Sequence, residues 1–186
     1  MKIERLEMEG VALLTPRQFQ DDRGWFAETW NRATLKDLGL DIEFVQDNHS
    51  YSGKVGTLRG LHYQAPPFAQ DKLVRCTRGS ILDVVVDARL GSPTYGDWLR
   101  VELAATSGEQ LLVPKGFLHG FLTLEPDCEV QYKVSELYDA ESDGTVHWDS
   151  LNIDWGLETT PVVSFKDEKA LPFAQWKSPF LYECVE

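Results

Sequence analysis

The chain has 186 residues, with 18 Lys and Arg against 30 Asp and Glu, a net charge of −12. That length fits one domain, residues 1–186, and the 42% hydrophobic and 11% aromatic content is enough for a real core. Polyanion binding needs a field of cations, so nucleic acid and anionic membranes are poor partners; one small anion needs only a few clustered cations.

The first segment, MKIERLEMEGVALL, carries charges throughout and has no signal-peptide apolar region. No apolar run approaches the ~18–20 residues of a membrane span, so the chain reads as a cytoplasmic protein. Asn31 to Leu38 is the best helix candidate, with a capping residue in front and Gly39 ending it. Short apolar, β-branched stretches follow at Lys72–Cys76, Ser80–Asp87, Leu99–Leu103, Gln110–Val113, Gly120–Leu124 and Glu129–Val134. Turn-forming residues separate them, a spacing that predicts an antiparallel sandwich or barrel. From Ser142 onward the periodicity fades, and short helical turns joined by loops are expected.

Cys76, Cys128 and Cys184 are far apart and form no CxxC pair, which argues against a zinc ribbon, a thioredoxin-type site or a disulfide framework. They read as small buried or half-buried thiols. The most informative stretch is Gly108 to Thr123, GEQLLVPKGFLHGFLT. A glycine, five residues, Pro114-Lys115-Gly116 and then His119 resembles the second cupin motif, in which a tight turn sends a histidine into the mouth of a small barrel. Gly116 supplies the turn, and strand alternation gives His119, Phe121 and Thr123 one face. Upstream, Gly56 plus five residues reaches His62, but the next ligand position holds Gln64, and no glutamate occurs from Val55 to Ile81. Two histidines without a third ligand make a weak metal site. The expectation is a cupin-like barrel without a metal, whose histidine is free to accept a proton.

The blocks TLRGLHYQ, QDKLVR, GSILDVVVD, VPKGFLHGF, VQYK and SFKD occur in this order. With Phe19, Asp21-Asp22-Arg23-Gly24, Phe26, Glu28 and Gln46-Asp47-Asn48-His49-Ser50 upstream, they resemble the dTDP-4-dehydrorhamnose 3,5-epimerase family over about residues 3 to 180. The resemblance implies an all-β, cupin-type jelly-roll barrel with a few short helices, working as a homodimer. It implies epimerisation of a dTDP-4-dehydro-6-deoxy-hexose at C-3 and C-5. Carried over by position, His62 is the general base with Asp167 as its partner, Tyr132 the proton donor, and Lys72 the cation at the enolate oxygen. Arg23, Glu28, Gln46, Asn48, Arg59, His119, Asp143 and Lys166 would contact nucleotide, diphosphate or sugar, some of them from the second subunit. At position 143 the family pattern often has Glu.

The chemistry has its own logic. A C–H beside a ketone is acidic because the resulting charge spreads onto oxygen, and a nearby cation lowers the barrier further. Inverting a centre takes a base on one face and an acid on the other. No cofactor is needed, and no G-x-G-x-x-G loop is present to hold NAD. Competing readings are a mono-epimerase acting at C-3 or C-5 alone, a metal-dependent cupin enzyme, and a non-catalytic sugar-nucleotide-binding module. One local conflict stands out: strict alternation puts Arg59 and His62 on opposite strand faces, unless Gly60 marks a bulge.

Overall fold

The computed structural model describes residues 1–182. Its elements in chain order are β1 (Lys2–Arg5), β2 (Ala12–Thr15), β3 (Gln18–Asp21), β4 (Gly24–Ala27), α1 (Arg32–Asp37), β5 (Gln46–Ser52), β6 (Leu58–Gln64), β7 (Lys72–Arg78) and β8 (Ser80–Asp87). They continue with β9 (Arg89–Leu90), β10 (Trp98–Ala104), β11 (Gln110–Val113), β12 (Phe117–Thr123), β13 (Cys128–Val134), β14 (Asp143–Thr145), α2 (Phe165–Glu168) and β15 (Phe180–Leu181). Two antiparallel sheets, in strand order β1-β2-β11-β7-β13-β5 and β10-β8-β12-β6-β14, make up the barrel. This is the all-β, cupin-type jelly-roll architecture, with two short helices. The hairpin β3–β4 forms a separate two-stranded ribbon.

Helix α1 forms where expected: Asn31 caps it by accepting from the Ala33 and Thr34 N–H groups, and Gly39 follows the C-cap Leu38 in the left-handed region. Every strand read from the sequence is present, with bounds moved by at most a few residues. The N-terminal strands β1 to β5 and strand β6 had no clear alternating signal. Strands β14 and β15 are too short to produce one.

The core follows the strand period of two. Val74, Ile81, Val85, Leu111, Phe117, Phe121 and Val130 form one buried cluster. The alternate residues Val84, Val86, Leu118 and Leu122 join Leu58, Leu61, Val146, Trp155 and Phe180 in a second. Successive residues of β8 and β12 thus enter different clusters, so these strands are buried on both faces. A third cluster packs Leu35 and Leu40 against Ala12, Leu14, Leu73 and Leu112. Each such side chain contributes roughly 1.5–3 kcal/mol when fully buried. This packing leaves one polar zone on the interior faces, where Lys72, Asp83, His119 and Tyr132 interrupt the apolar alternation.

Cys76 and Cys128 are buried free thiols, and burial pushes the Cys76 thiol up to about 11. Cys184 lies outside the described residues. No helix among the described residues is long and apolar enough to cross a membrane.

Candidate active site

Strand β6 carries two of the predicted site residues, and its irregularity decides where they point. Paired with β12, it matches His62 to His119 and Arg59 to Phe121, so two residues on β6, Gly60 and Leu61, oppose the single Gly120 on β12. The extra residue is a bulge at Gly60–Leu61. It turns Arg59 and His62 into one cavity, which removes the conflict with strict alternation. Glycine is required here: Gly60 has φ +134°, and a Cβ at this position would sit 2.6 Å from the Gly120 Cα. Gly60 also points its N–H at Asp167 Oδ2, at 3.5 Å.

Asp167 comes from α2. Ser164 caps that helix by accepting from the Asp167 N–H at 3.1 Å, so the Asp167 backbone is satisfied locally and its side chain turns to His62. The His62 Nε2 to Asp167 Oδ1 distance is 2.7 Å, with side-chain exposures of 35% and 3%. Thr145 Oγ donates to the same Asp167 oxygen at 3.4 Å. Burial works to raise the Asp167 pKa, but the hydrogen bonds from His62, Ser164 and Gly60 outweigh it, and the net shift is downward. With Nε2 committed to Asp167, Nδ1 of His62 is the nitrogen left to act as a base.

The cavity of about 350 Å³ in front of His62 is lined by Arg59, Asp143, Lys166 and Asp167, with Leu58 and Val162 among its apolar walls. Arg59 is held by Ser52 Oγ at 3.2 Å and the Tyr51 carbonyl at 2.9 Å. Lys166 Nζ pairs with Asp143 Oδ2 at 2.5 Å, and the Tyr138 hydroxyl reaches the same oxygen at 3.4 Å.

Tyr132 and Lys72 come from the other sheet, on β13 and β7. Burial raises the Tyr132 pKa, opposed by Arg59 and aided by Asp143, so the phenol keeps its proton. Burial lowers the Lys72 pKa to about 8, opposed by the charges of Asp83 and Asp143. Asn48 on β5 lies across from Tyr132 in the strand register. Gln46 donates to Asn48 Oδ1 at 2.9 Å and accepts from the Tyr138 N–H at 3.0 Å. His119 is nearly closed off, with its Nε2 2.5 Å from Asp83 Oδ1 and exposures of 8% and 0%.

Two predicted residues stand apart. Arg23 is at the tip of the β3–β4 ribbon, 89% exposed and paired with Asp21. Glu28 accepts from Asn31 Nδ2 at 2.9 Å and Thr34 Oγ at 3.3 Å, at the start of α1. Conversely, the sequence reading missed Asp83 and Tyr138. Asp83 left a signal, a carboxylate in the middle of the apolar run Ile81–Val86; Tyr138 left none. Among the described residues, no group of three or more His, Cys, Asp or Glu side chains is arranged to hold a metal ion.

The fold and the site thus define a cupin-type barrel enclosing a His–Asp pair, a buried lysine and a buried tyrosine. The family model for dTDP-4-dehydrorhamnose 3,5-epimerase matches residues 5–175, and the chain belongs to that family of isomerases. A dTDP-4-dehydrorhamnose 3,5-epimerase from Sinorhizobium fredii is 47% identical over 184 residues, covering 98% of this chain and 94% of the relative. The crystal structure of a dTDP-6-deoxy-D-glucose-3,5-epimerase from Legionella pneumophila, in complex with dTDP-4-keto-L-rhamnose, superposes with a TM-score of 0.94. It is 36% identical and covers 98% of this chain and 99% of that one. A dTDP-4-dehydrorhamnose 3,5-epimerase from Bacillus anthracis, solved with TDP and PPi bound, is 47% identical with a TM-score of 0.88, covering 91% of this chain and 97% of that one.

Proposed function

We propose that this enzyme converts dTDP-4-dehydro-6-deoxy-D-glucose to dTDP-4-dehydro-L-rhamnose, with His62 as base and Tyr132 as acid. The observation that carries the residue roles is their origin on opposite walls: His62 on β6 of one sheet, Tyr132 on β13 of the other. A sugar ring between the two sheets meets a base on one face and an acid on the other.

His62 Nδ1 takes the proton from the carbon beside the ketone, and Asp167 stabilises the imidazolium that forms. The electron pair moves onto the C-4 oxygen, where Lys72 supplies positive charge. Tyr132 returns a proton to the opposite face of the same carbon; His62 then releases its proton to solvent and Tyr132 is reprotonated from solvent, which restores both groups. The step is redox-neutral and is repeated at the second centre. Arg59, Lys166 and Asp143 line the cavity and act as substrate contacts, with Gln46, Asn48 and His119 completing the interior. Lys166 leaves Asp143 to meet the diphosphate.

Arg23 and Glu28 fit this scheme as contributions to a second copy's site. The ribbon that carries Arg23 exposes Phe19, Trp25 and Phe26 at 51%, 58% and 70%. An isolated two-stranded ribbon is marginal in water, and such an apolar surface is suited to burial in a homodimer. The chain then works as one cupin-like unit per subunit. Free buried thiols at Cys76 and Cys128 fit a cytoplasmic setting.

The test is proton exchange in deuterium oxide with dTDP-4-dehydro-6-deoxy-D-glucose, followed by NMR without a reductase. Deuterium enters at C-3 and C-5, and His62→Ala abolishes both. Entry at one centre alone would replace this reading with a mono-epimerase; no exchange by folded protein would favour a binding module.

A further inference from the structure

Asp83 takes no part in that scheme, yet it is built into the same interior. Its side chain is wholly buried. Oδ1 meets His119 Nε2 at 2.5 Å, while Oδ2 has no hydrogen-bond partner among the described residues. Asp87, on the same strand and equally buried, shows what a satisfied carboxylate looks like here. Its oxygens accept from Arg89, Ser92 and Thr94 at 2.6–3.0 Å. Leaving a buried carboxylate oxygen bare is costly unless an opposite charge compensates.

The buried cation of this interior is Lys72. Among the described residues its ammonium makes no hydrogen bond or ion pair. Asp83 on β8 and Asp143 on β14 are the carboxylates whose fields favour its charged form. The other titratable groups turned to this interior are His119 on β12, Tyr132 on β13 and His62 on β6. Asp143 is already paired with Lys166 at 2.5 Å, which leaves Asp83 with uncommitted negative charge.

We propose that Asp83 is a positioning residue. One of its oxygens anchors His119, and the other is a fixed counter-charge that keeps Lys72 protonated where the enolate oxygen forms. The catalytic consequence rests on the reading of Lys72 as the enolate-binding cation.

The experiment is an NMR titration of the Lys72 amine in lysine-labelled enzyme, its signal assigned by loss in Lys72→Arg. It is repeated in Asp83→Asn, with pH profiles of kcat and KM. Removing the opposite charge should lower the Lys72 midpoint by about one unit. The alkaline limb of kcat should move down with it, so that kcat above that limb falls about tenfold while KM changes little. An unmoved midpoint would overturn the proposal, even if activity were lost. Full activity in Lys72→Ala would instead remove Lys72 from the mechanism, and the midpoint in Asp83→Asn would still decide the counter-charge. Should Asp83→Asn not fold, His119→Gln keeps the carboxylate and deletes its partner. The midpoint should then hold or rise, and a fall of about one unit would overturn the proposal by assigning the effect to the imidazole.

Discussion

Two histidines face each other on neighbouring strands, His62 on β6 and His119 on β12, and each is bound through Nε2 to an aspartate, at 2.7 and 2.5 Å. Their surroundings separate them. His62 is 35% exposed and opens on a cavity, whereas His119 is 8% exposed and shut against Asp83. Asp167 is held by Ser164, Gly60 and Thr145 as well as by His62. Asp83 has one oxygen without a partner among the described residues. On the reading proposed above, the same pair of residue types makes a base in one place and a buried electrostatic fixture in the other. Access and the satisfaction of the carboxylate make the difference.

The sharpest way to break this comparison is to delete each imidazole. His62→Ala should cost roughly 10²–10⁴-fold in kcat, the span of a general base, with little change in urea midpoint. His119→Ala should cost stability as well, roughly 1–3 kcal/mol, because it leaves Asp83 Oδ1 buried without its hydrogen bond. Equal stability losses in the two variants would mean that the pairs are equivalent and the distinction is wrong.

Lys72 should show function opposed to stability. Its pKa falls from 10.5 to about 8 on folding. The unfolded chain therefore binds the extra proton between these values, and stability rises with pH across that window. Below it, holding the charge inside costs on the order of 3 kcal/mol. Lys72→Met removes that cost but leaves the buried Asp83 charge uncompensated, so any stability gain at pH 7 should stay below that amount, while kcat falls roughly 10²-fold or more. Urea unfolding at pH 7 and pH 10.5 checks the sign, since the gain should shrink at the higher pH.

Asp167→Asn removes the group that orients His62. A kcat loss is expected, smaller than that of removing the base itself. The stability effect has the opposite pH sign to that of Lys72. The Asp167 pKa is lowered on folding, so its contribution is present above the ordinary value of 3.8 and is lost as pH falls through the folded value. Wild type and Asp167→Asn should therefore differ in stability at pH 7 and converge in acid. A constant difference down to the lowest pH would show that the carboxylate charge carries none of it.

How much of this could be read from the sequence depended on how local the signal was. The central strands were legible because β8, β11, β12 and β13 are apolar runs bounded by turn residues. The helix α1 was legible from Asn31 and Gly39. The first strands were not, because β3 and β4 leave Phe19, Trp25 and Phe26 exposed and have no buried face to impose alternation. Within the site, the resemblance nominated the residues, but only the fold brings His62 and Asp167 together across 105 positions. The shared face of Arg59 and His62 depended on one extra residue at Gly60, whose glycine hinted at a bulge without fixing its direction. Asp83 was passed over because a carboxylate inside an apolar strand says nothing by itself about its partner.

The smallest effect on folding belongs to Arg23, and it sharpens the comparison from outside the barrel. This side chain is 89% exposed and, among the described residues, pairs with Asp21 alone, two residues away. Removing such a surface pair leaves stability nearly unchanged. If the ribbon completes the site of a second subunit, Arg23→Ala should keep its unfolding midpoint and dimer mass yet raise KM for the dTDP-sugar about tenfold, the loss of one charge-assisted contact. Trp25→Ala with Phe26→Ser, by contrast, should shift the mass toward the monomer in analytical ultracentrifugation and lower kcat/KM with it. An unchanged KM in Arg23→Ala would confine recognition to the cavity that His62, Arg59 and Lys166 already share. The ribbon would then be left with an architectural role alone.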